Sequence, residues 1–324
     1  MTRHYLLLSS LVLLSVAGLI LSLNSGSLDL PLVRLLISPQ SGTETETQVL
    51  WELRMPRALA GFVTGGLLAL SGVIMQVLLR NPLADPYILG ISGGAAVGAL
   101  SAILLGVSGL WTSHAALAGA LVSIIIVFGL SNTSGNWSAM RLLLTGVVVS
   151  AGWGAVINIL LTTSSSNNVQ SMLFWLMGDL SQSRLSVGHY LVLAAGTGLA
   201  LFLARSLNVL TRGDLAAQAL GVDVGRMRIV LYLTASVLTA SAVVIAGSVG
   251  FVGLVIPHML RMLGARDHRL LVPCSVLLGG SFLVIADSAA RTVIAPQQLP
   301  VGVVTAVIGV PVFILILRHT MRQS

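Results

Sequence analysis

An all-α, polytopic membrane protein of about ten transmembrane helices is the fold class this sequence predicts, and three observations predict it. Only 8% of the 324 residues are charged, against 56% hydrophobic, far below the roughly 25% charged residues of an ordinary soluble domain. Ten apolar stretches can be marked along the chain; crossing ~30 Å of hydrocarbon takes about 20 helical residues, fewer where flanking side chains snorkel or the bilayer thins. The arginines fall unevenly between alternate connections, as the preference of positive residues for the cytoplasmic side demands.

In chain order the spans cover residues 5–23, 58–79, 88–107, 115–130, 142–161, 187–203, 229–246, 249–263, 270–286 and 301–317. The first follows Arg3 and His4 and could be read as a signal peptide. Its long apolar region and the lack of an A-x-A cleavage site favour a retained helix. Pro56 suits the first turn of the second span. The seventh and eighth spans nearly touch, with a boundary near 247–250. Many of the 34 glycines sit inside spans, as Gly61, Gly65, Gly66 and Gly72 do in the second. Small residues let helix backbones approach closely in lipid; a minority could instead line a path for a ligand.

With ten spans and a cytoplasmic N-terminus, the inner side holds Arg3, Arg80, Arg141, Arg205, Arg212, Arg226, Arg228, Arg261, Arg266, Arg269, Arg318 and Arg322. The outer side holds Arg34, Arg54, Arg57, Arg184 and Arg291. The formal charge of +7 is therefore mostly a topology signal and needs no nucleic-acid partner. All 17 basic residues are arginine. Without lysine the chain can carry neither a Walker A motif nor a Schiff-base site. The single Cys274 can form no internal disulfide or redox pair, and no H-E-x-x-H or paired carboxylates support a metal site.

Several constellations are open to more than one reading. Gly90-Ile-Ser92-Gly-Gly94 matches G-x-S-x-G, but the strand-turn-helix context of a nucleophile elbow is missing; a membrane protease would pair Ser92 with His258, and helix packing is the plainer account. Pro257 kinks or starts a helix, and His258 beside it is either a hydrogen-bonded structural residue or a proton relay. Asp287 and Arg291 share a helical face, as an intramembrane ion pair or as an acid steadying an arginine that reaches the outer surface. Arg54 and Arg57 sit where the helix dipole and the inside preference both disfavour cations. Glu52, an acidic docking protein or an anionic substrate could compensate them. The segments Gly72–Arg80 and Gly253–Arg261 echo each other in residue pattern. Between residues 207 and 228, Thr211 or Asp214 can cap a short helix that Gly221 ends, and Asp223 can cap the next.

Taken in order, these stretches resemble the FecCD-type permeases, the membrane subunits of ATP-binding-cassette importers for iron chelates, haem and cobalamin. The resemblance rests on Arg54-Met-Pro-Arg57, Ser71-Gly-Val-Ile-Met-Gln76, Asn81-Pro-Leu-Ala-Asp-Pro86, Leu89-Gly90 and Arg141-Leu-Leu-Leu-Thr-Gly146. Further on it rests on Phe174-Trp-Leu-Met-Gly178, Ala219-Leu-Gly-Val222, Gly250-Phe-Val-Gly-Leu-Val-Ile-Pro-His258 with Arg261, Asp267-His-Arg269 and Leu299-Pro-Val-Gly302. It spans essentially the whole chain.

The resemblance implies the type II ABC importer permease fold: one transmembrane domain over residues 1–324 with a cytoplasmic coupling segment at about 207–228. It implies a homodimer around one pathway in the bacterial inner membrane, both termini cytoplasmic, with two separate ATPase subunits below and a periplasmic or lipid-anchored binding protein above. Arg54, Arg57 and Arg291 would dock that binding protein. Asn81 and Leu83 would belong to a cytoplasmic gate, whose other side carries Ala139 and Met140 where cobalamin-type permeases have small hydroxyl residues. Arg212, Gly213, Asp214, Ala217, Leu220, Gly221, Val222 and Arg226 would couple to the ATPase. The chain itself would bind no cofactor or metal and catalyse no reaction, ATP and Mg being used by the partner. The expected cargo is an iron-siderophore, then cobalamin, then haem. An ion-coupled secondary transporter using Asp287 and an intramembrane serine protease are the rival readings.

Overall fold

The computed structural model describes residues 2–321 except 27, 39–41, 108, 132–137, 182 and 184. Arg184 and Arg322 of the charge count lie outside the described residues. The helices are α1 (Thr2–Asn24), α2 (Leu32–Ile37), α3 (Glu44–Gln48), α4 (Met55–Leu78), α5 (Ile91–Leu104), α6 (Leu110–Ser131), α7 (Ala139–Thr163) and α8 (Ser166–Met177). There follow α9 (Val187–Phe202), α10 (Ala204–Leu210), α11 (Asp214–Ala219), α12 (Val224–Ala246), α13 (Val252–Met262), α14 (His268–Thr292) and α15 (Val301–Met321). A π-helical turn, Val49–Arg54, leads into α4, and a 3₁₀ turn, Pro86–Leu89, leads into α5. No strand occurs among the described residues.

Each of the ten apolar stretches falls on one helix. Six helices, α1, α4, α6, α7, α12 and α14, are long and apolar enough to cross a membrane unaided, and α9 with α10 qualifies as a pair bent by 63°. The shorter apolar helices α5, α13 and α15 complete the set of ten. α13 has only 11 residues, about 16 Å at 1.5 Å per residue, because the backbone before it is unwound. Such backbone is tolerated at membrane depth when protein buries and satisfies it. Here Val249 is 1% exposed and its N–H donates to the Tyr87 hydroxyl at 3.0 Å. The break that sequence places near 247–250 is thus real: Gly247, at φ 67°, ends α12, and α13 begins at Val252. α2, α3 and α8 lie in connections where no helix was expected.

The core is built on α4, which packs against α1, α9, α12, α13 and α14. Gly72 faces Gly253 so closely that a Cβ on either would meet backbone of the other helix, an approach only glycine permits. The echo between Gly72–Arg80 and Gly253–Arg261 is therefore also a contact: the two segments lie against each other. Pro257 lies inside α13 and does not start it. Having no N–H, it leaves the Gly253 carbonyl without its helical donor. Gln76 of α4 fills the gap, its Nε2 donating to the carbonyls of Gly253 at 3.4 Å and Leu254 at 3.2 Å, while its Oε1 accepts from Arg261.

Candidate functional site: two arginine–aspartate clusters at the ends of one helix

At the N-terminal end of α4, two arginines gather on one carboxylate. Arg57 grips Asp287 of α14 in bidentate fashion, Nη2 at 2.8 Å from Oδ1 and Nε at 3.0 Å from Oδ2. Its Nη1 donates to Gln298 at 2.9 Å. Arg291, one turn beyond Asp287, sets Nε 3.2 Å from Oδ2, a charge contact whose angle is too poor for a hydrogen bond. Its Nη2 donates to the Ser22 hydroxyl at 2.9 Å and its Nη1 to the Ser25 carbonyl at 3.3 Å, tying α1 to the cluster. Side-chain exposure is 12% for Arg57, 2% for Asp287 and 10% for Arg291, so these charges meet with little water to screen them.

The acid that compensates Arg57 is therefore neither Glu52, which is exposed, nor an external group, but Asp287. Asp287 itself is more than a support for an arginine that reaches the surface, since it is shared between two guanidiniums that are largely shielded from solvent. Arg54 is turned inward: only 6% exposed, it donates to the carbonyls of Leu23 at 2.7 Å, Asn24 at 3.3 Å and Leu28 at 2.5 Å. It closes the connection after α1 and offers little to a partner outside.

At the C-terminal end of α4 lies a second cluster. α4 ends in a Schellman motif, Arg80 N–H to Val77 O at 3.2 Å and Asn81 N–H to Gln76 O at 3.1 Å. Arg80 occupies the left-handed position of that motif at φ 49°, where glycine fits freely and a residue with a Cβ costs about 1 kcal/mol or more. Its guanidinium pairs with Oδ2 of Asp214, which also accepts Arg228 of α12 at 2.6 Å. Asp214 Oδ1 has no hydrogen-bond partner. Three elements, α4, α11 and α12, thus meet on one carboxylate.

Asp214 opens α11 and does not cap it; the N-cap is Gly213 at φ 110°, and Thr211 bonds back to Asn208. Gly221, at φ 80°, follows the helix and Asp223 caps α12 through the Arg226 N–H at 3.0 Å. Ala217 is buried, while Leu215 is 83% and Leu220 66% exposed; Arg212 and Arg226 are exposed and Val222 is half-buried. Asn208 of α10 donates to Asp267 at 2.8 Å and accepts from the His268 N–H at 3.0 Å, pinning this end to α14. The Arg269 N–H and Asn208 hold the Asp267 carboxyl below its ordinary range.

The turn after Arg80 is set by Asn81, whose Oδ1 accepts the Leu83 N–H at 2.9 Å. Ala139 opens α7 and Met140 is 66% exposed. Among the described residues no hydrogen bond joins that turn to Ala139 or Met140, so one copy of the chain does not bring the four residues together by such bonds. Ser92 bonds to Ser248 at 3.1 Å and His258 Nδ1 is buried without a partner, so the hydrogen-bonded Ser–His dyad a protease needs is not formed. Asp287, neutralised by two arginines, is no free carrier for a coupling ion. Neither rival reading finds support.

Arg80, Arg228 and Gln76 are the residues that sequence reasoning missed. Their partners lie on other helices, and no spacing reveals them. The one signal in the chain was the absence of glycine where α4 must stop.

A model of the FecCD transport family matches residues 13–319. The chain is 43% identical over 278 residues to the cobalamin import system permease protein BtuC of Halobacterium salinarum, covering 85% of this chain and 74% of that protein. It is 38% identical over 329 residues to the hemin transport system permease protein HmuU of Yersinia pestis, covering 98% and 97%. Among solved structures, it matches a chain from an inward-facing metal-chelate type ABC transporter with TM-score 0.86 and 32% identity, over 96% and 98% of the two chains.

Proposed function

The chain belongs to the FecCD transport family, and from that premise we propose that it imports a metal chelate by ATP-driven alternating access, as one of two identical permease subunits served by separate ATPase subunits. The observation that carries this reading is α11. A six-residue helix is marginal in water on its own, yet this one is held by Asp214 and Ala217 while presenting Leu215 and Leu220 outward at the end richest in arginine. An exposed apolar pair on an anchored helix suits a groove in a partner. That end is the cytoplasmic one on the positive-inside rule, which also places both termini there.

The proposed cargo is a metal chelate, with cobalamin and haem to be tried first because relatives bear those names, and iron-siderophores next. The gate is proposed to form between copies: the turn at Asn81 and Leu83 from one side, Ala139 and the outward Met140 from the other. Binding-protein docking is assigned to the Arg57 and Arg291 cluster, with Arg54 holding the surrounding connection in place. The ATP chemistry is assigned to the partner, since a chain without lysine lacks the phosphate-binding residue of a P-loop.

Uptake into proteoliposomes bearing the permease, its ATPase and its binding protein tests the reading. Uptake is expected to require ATP and the ATPase subunit and to survive an uncoupler; uptake that persists without the ATPase and collapses with the proton gradient would overturn it. Leu215→Asp with Leu220→Asp is expected to weaken ATPase association at least about tenfold in a pull-down titration while permease stability stays within about 0.5 kcal/mol, both side chains being exposed. Raising the salt is expected to slow binding-protein association with the wild-type permease about tenfold, as screening weakens its attraction to the net positive cluster; rates that do not change with salt would remove that assignment.

A further inference from the structure

α4 is fixed by an arginine at each end. Its first turn carries Arg57 in the cluster with Asp287, and the residue that ends it, Arg80, joins Asp214 and Arg228. The helix itself has 24 residues, about 36 Å at 1.5 Å per residue. Nearly all are buried, and the only proline, Pro56, stands in the first turn. A helix so enclosed and without an internal break moves as a rod, because close packing leaves its flanks nowhere to bend.

Arg80 holds a backbone conformation its side chain disfavours. Outliers of this kind persist where the surroundings over-determine them, and they concentrate at functional positions. The ion pair itself returns little stability: the side chains of Arg80 and Asp214 are 37% and 31% exposed, a range in which such pairs contribute weakly. A strained backbone kept for a weak pair points to a role other than holding the fold. Asp214 Oδ2 receives both arginines while Oδ1 is unpartnered, so the carboxylate can exchange oxygens as α11 shifts without leaving either guanidinium uncompensated.

We propose that Arg80 is the positioning residue through which movement of α11 reaches α4, and so reaches the Arg57–Asp287–Arg291 cluster at the far end of the rod. The proposal rests on the reading of the chain as an ATP-driven permease and adds to it the residue that links the two faces. Arg228 keeps α12 in register with the same carboxylate, so that α11 draws on two helices at once.

The test uses the full complex of permease, ATPase and binding protein in proteoliposomes and reads cargo moved per ATP hydrolysed. Arg80→Gly removes the guanidinium and relaxes the left-handed backbone, so the variant is expected to assemble. Its coupling ratio is expected to fall about tenfold while ATP hydrolysis stays within about twofold of the wild type. Asp214→Asn should give the same fall, and the double variant no further loss, because the two act as one link. A wild-type ratio in Arg80→Gly, or losses that multiply in the double variant, would overturn the proposal. Should Arg80→Gly not assemble, Asp214→Asn decides alone: the same fall supports the link and a wild-type ratio overturns it. A wild-type complex without ATP-dependent uptake defeats the permease reading and this proposal together, a result distinct from a coupled wild type with an unaffected variant.

Discussion

Asp287→Ala is expected to destabilise the protein by about 3–5 kcal/mol, the range found when one partner of a buried ion pair is removed. The cost comes less from the lost attraction than from what stays behind. Arg57 and Arg291 would face each other at 12% and 10% exposure, two like charges with no counter-ion and little water. Arg57 would keep only its bond to Gln298, and Arg291 those to Ser22, Ser25 and Ser288. Asp287→Asn should lose less, because the amide oxygen still accepts a hydrogen bond. Thermal unfolding in nanodiscs is the measurement. An Asp287→Ala variant that melts with the wild type would show that the cluster is either hydrated or dispensable. Arg57→Met combined with Asp287→Leu removes one charge of each sign, and is expected to be milder than Asp287→Ala alone, since apolar replacement of a buried pair is often tolerated.

The second large effect is expected at Gly72. A Cβ there would overlap the Gly253 carbonyl of α13, and backbone cannot swing aside as a side chain can. Gly72→Val forces α4 and α13 apart and with them the bonds from Gln76 to Gly253, Leu254 and Arg261. The expected loss is at or above the about 1–3 kcal/mol typical of overpacked cores, read as loss of folded, monodisperse permease in detergent. Gly198→Ala in α9 is the control: a Cβ there meets nothing within 4 Å, and alanine is the better helix former by about 1 kcal/mol. Equal tolerance at both positions would contradict the close approach of α4 and α13.

Both predictions concern contacts made by α4, one with Asp287 of α14 and one with Gly253 of α13. α4 is pinned at one end by buried charge, locked midway by glycine against glycine, and joined at the other end to a short exposed helix. A docking event at one end and a partner's movement at the other would act on one rigid element. That arrangement suits the proposed transporter with its motor on another chain.

The sequence by itself determined the membrane class, the ten apolar elements and much of their local punctuation. Whether a stretch is apolar enough to enter lipid depends on consecutive residues, and so do the cap at Asp223 and the stop at Gly221. The ordered motifs were enough to indicate the family, because each is a local string. Three things were not legible. Arg57 finds Asp287 across 230 residues and Arg261 finds Gln76 across 185, pairings set by which helices lie side by side and at what rotation. The unwound stretch before α13 depends on Tyr87 being there to satisfy Val249. The inward turn of Arg54 depends on carbonyls that only the folded connection after α1 presents. Apolar character acts along the chain and is read from it; the partner of a buried charge is chosen in space, and only the tertiary structure decides it.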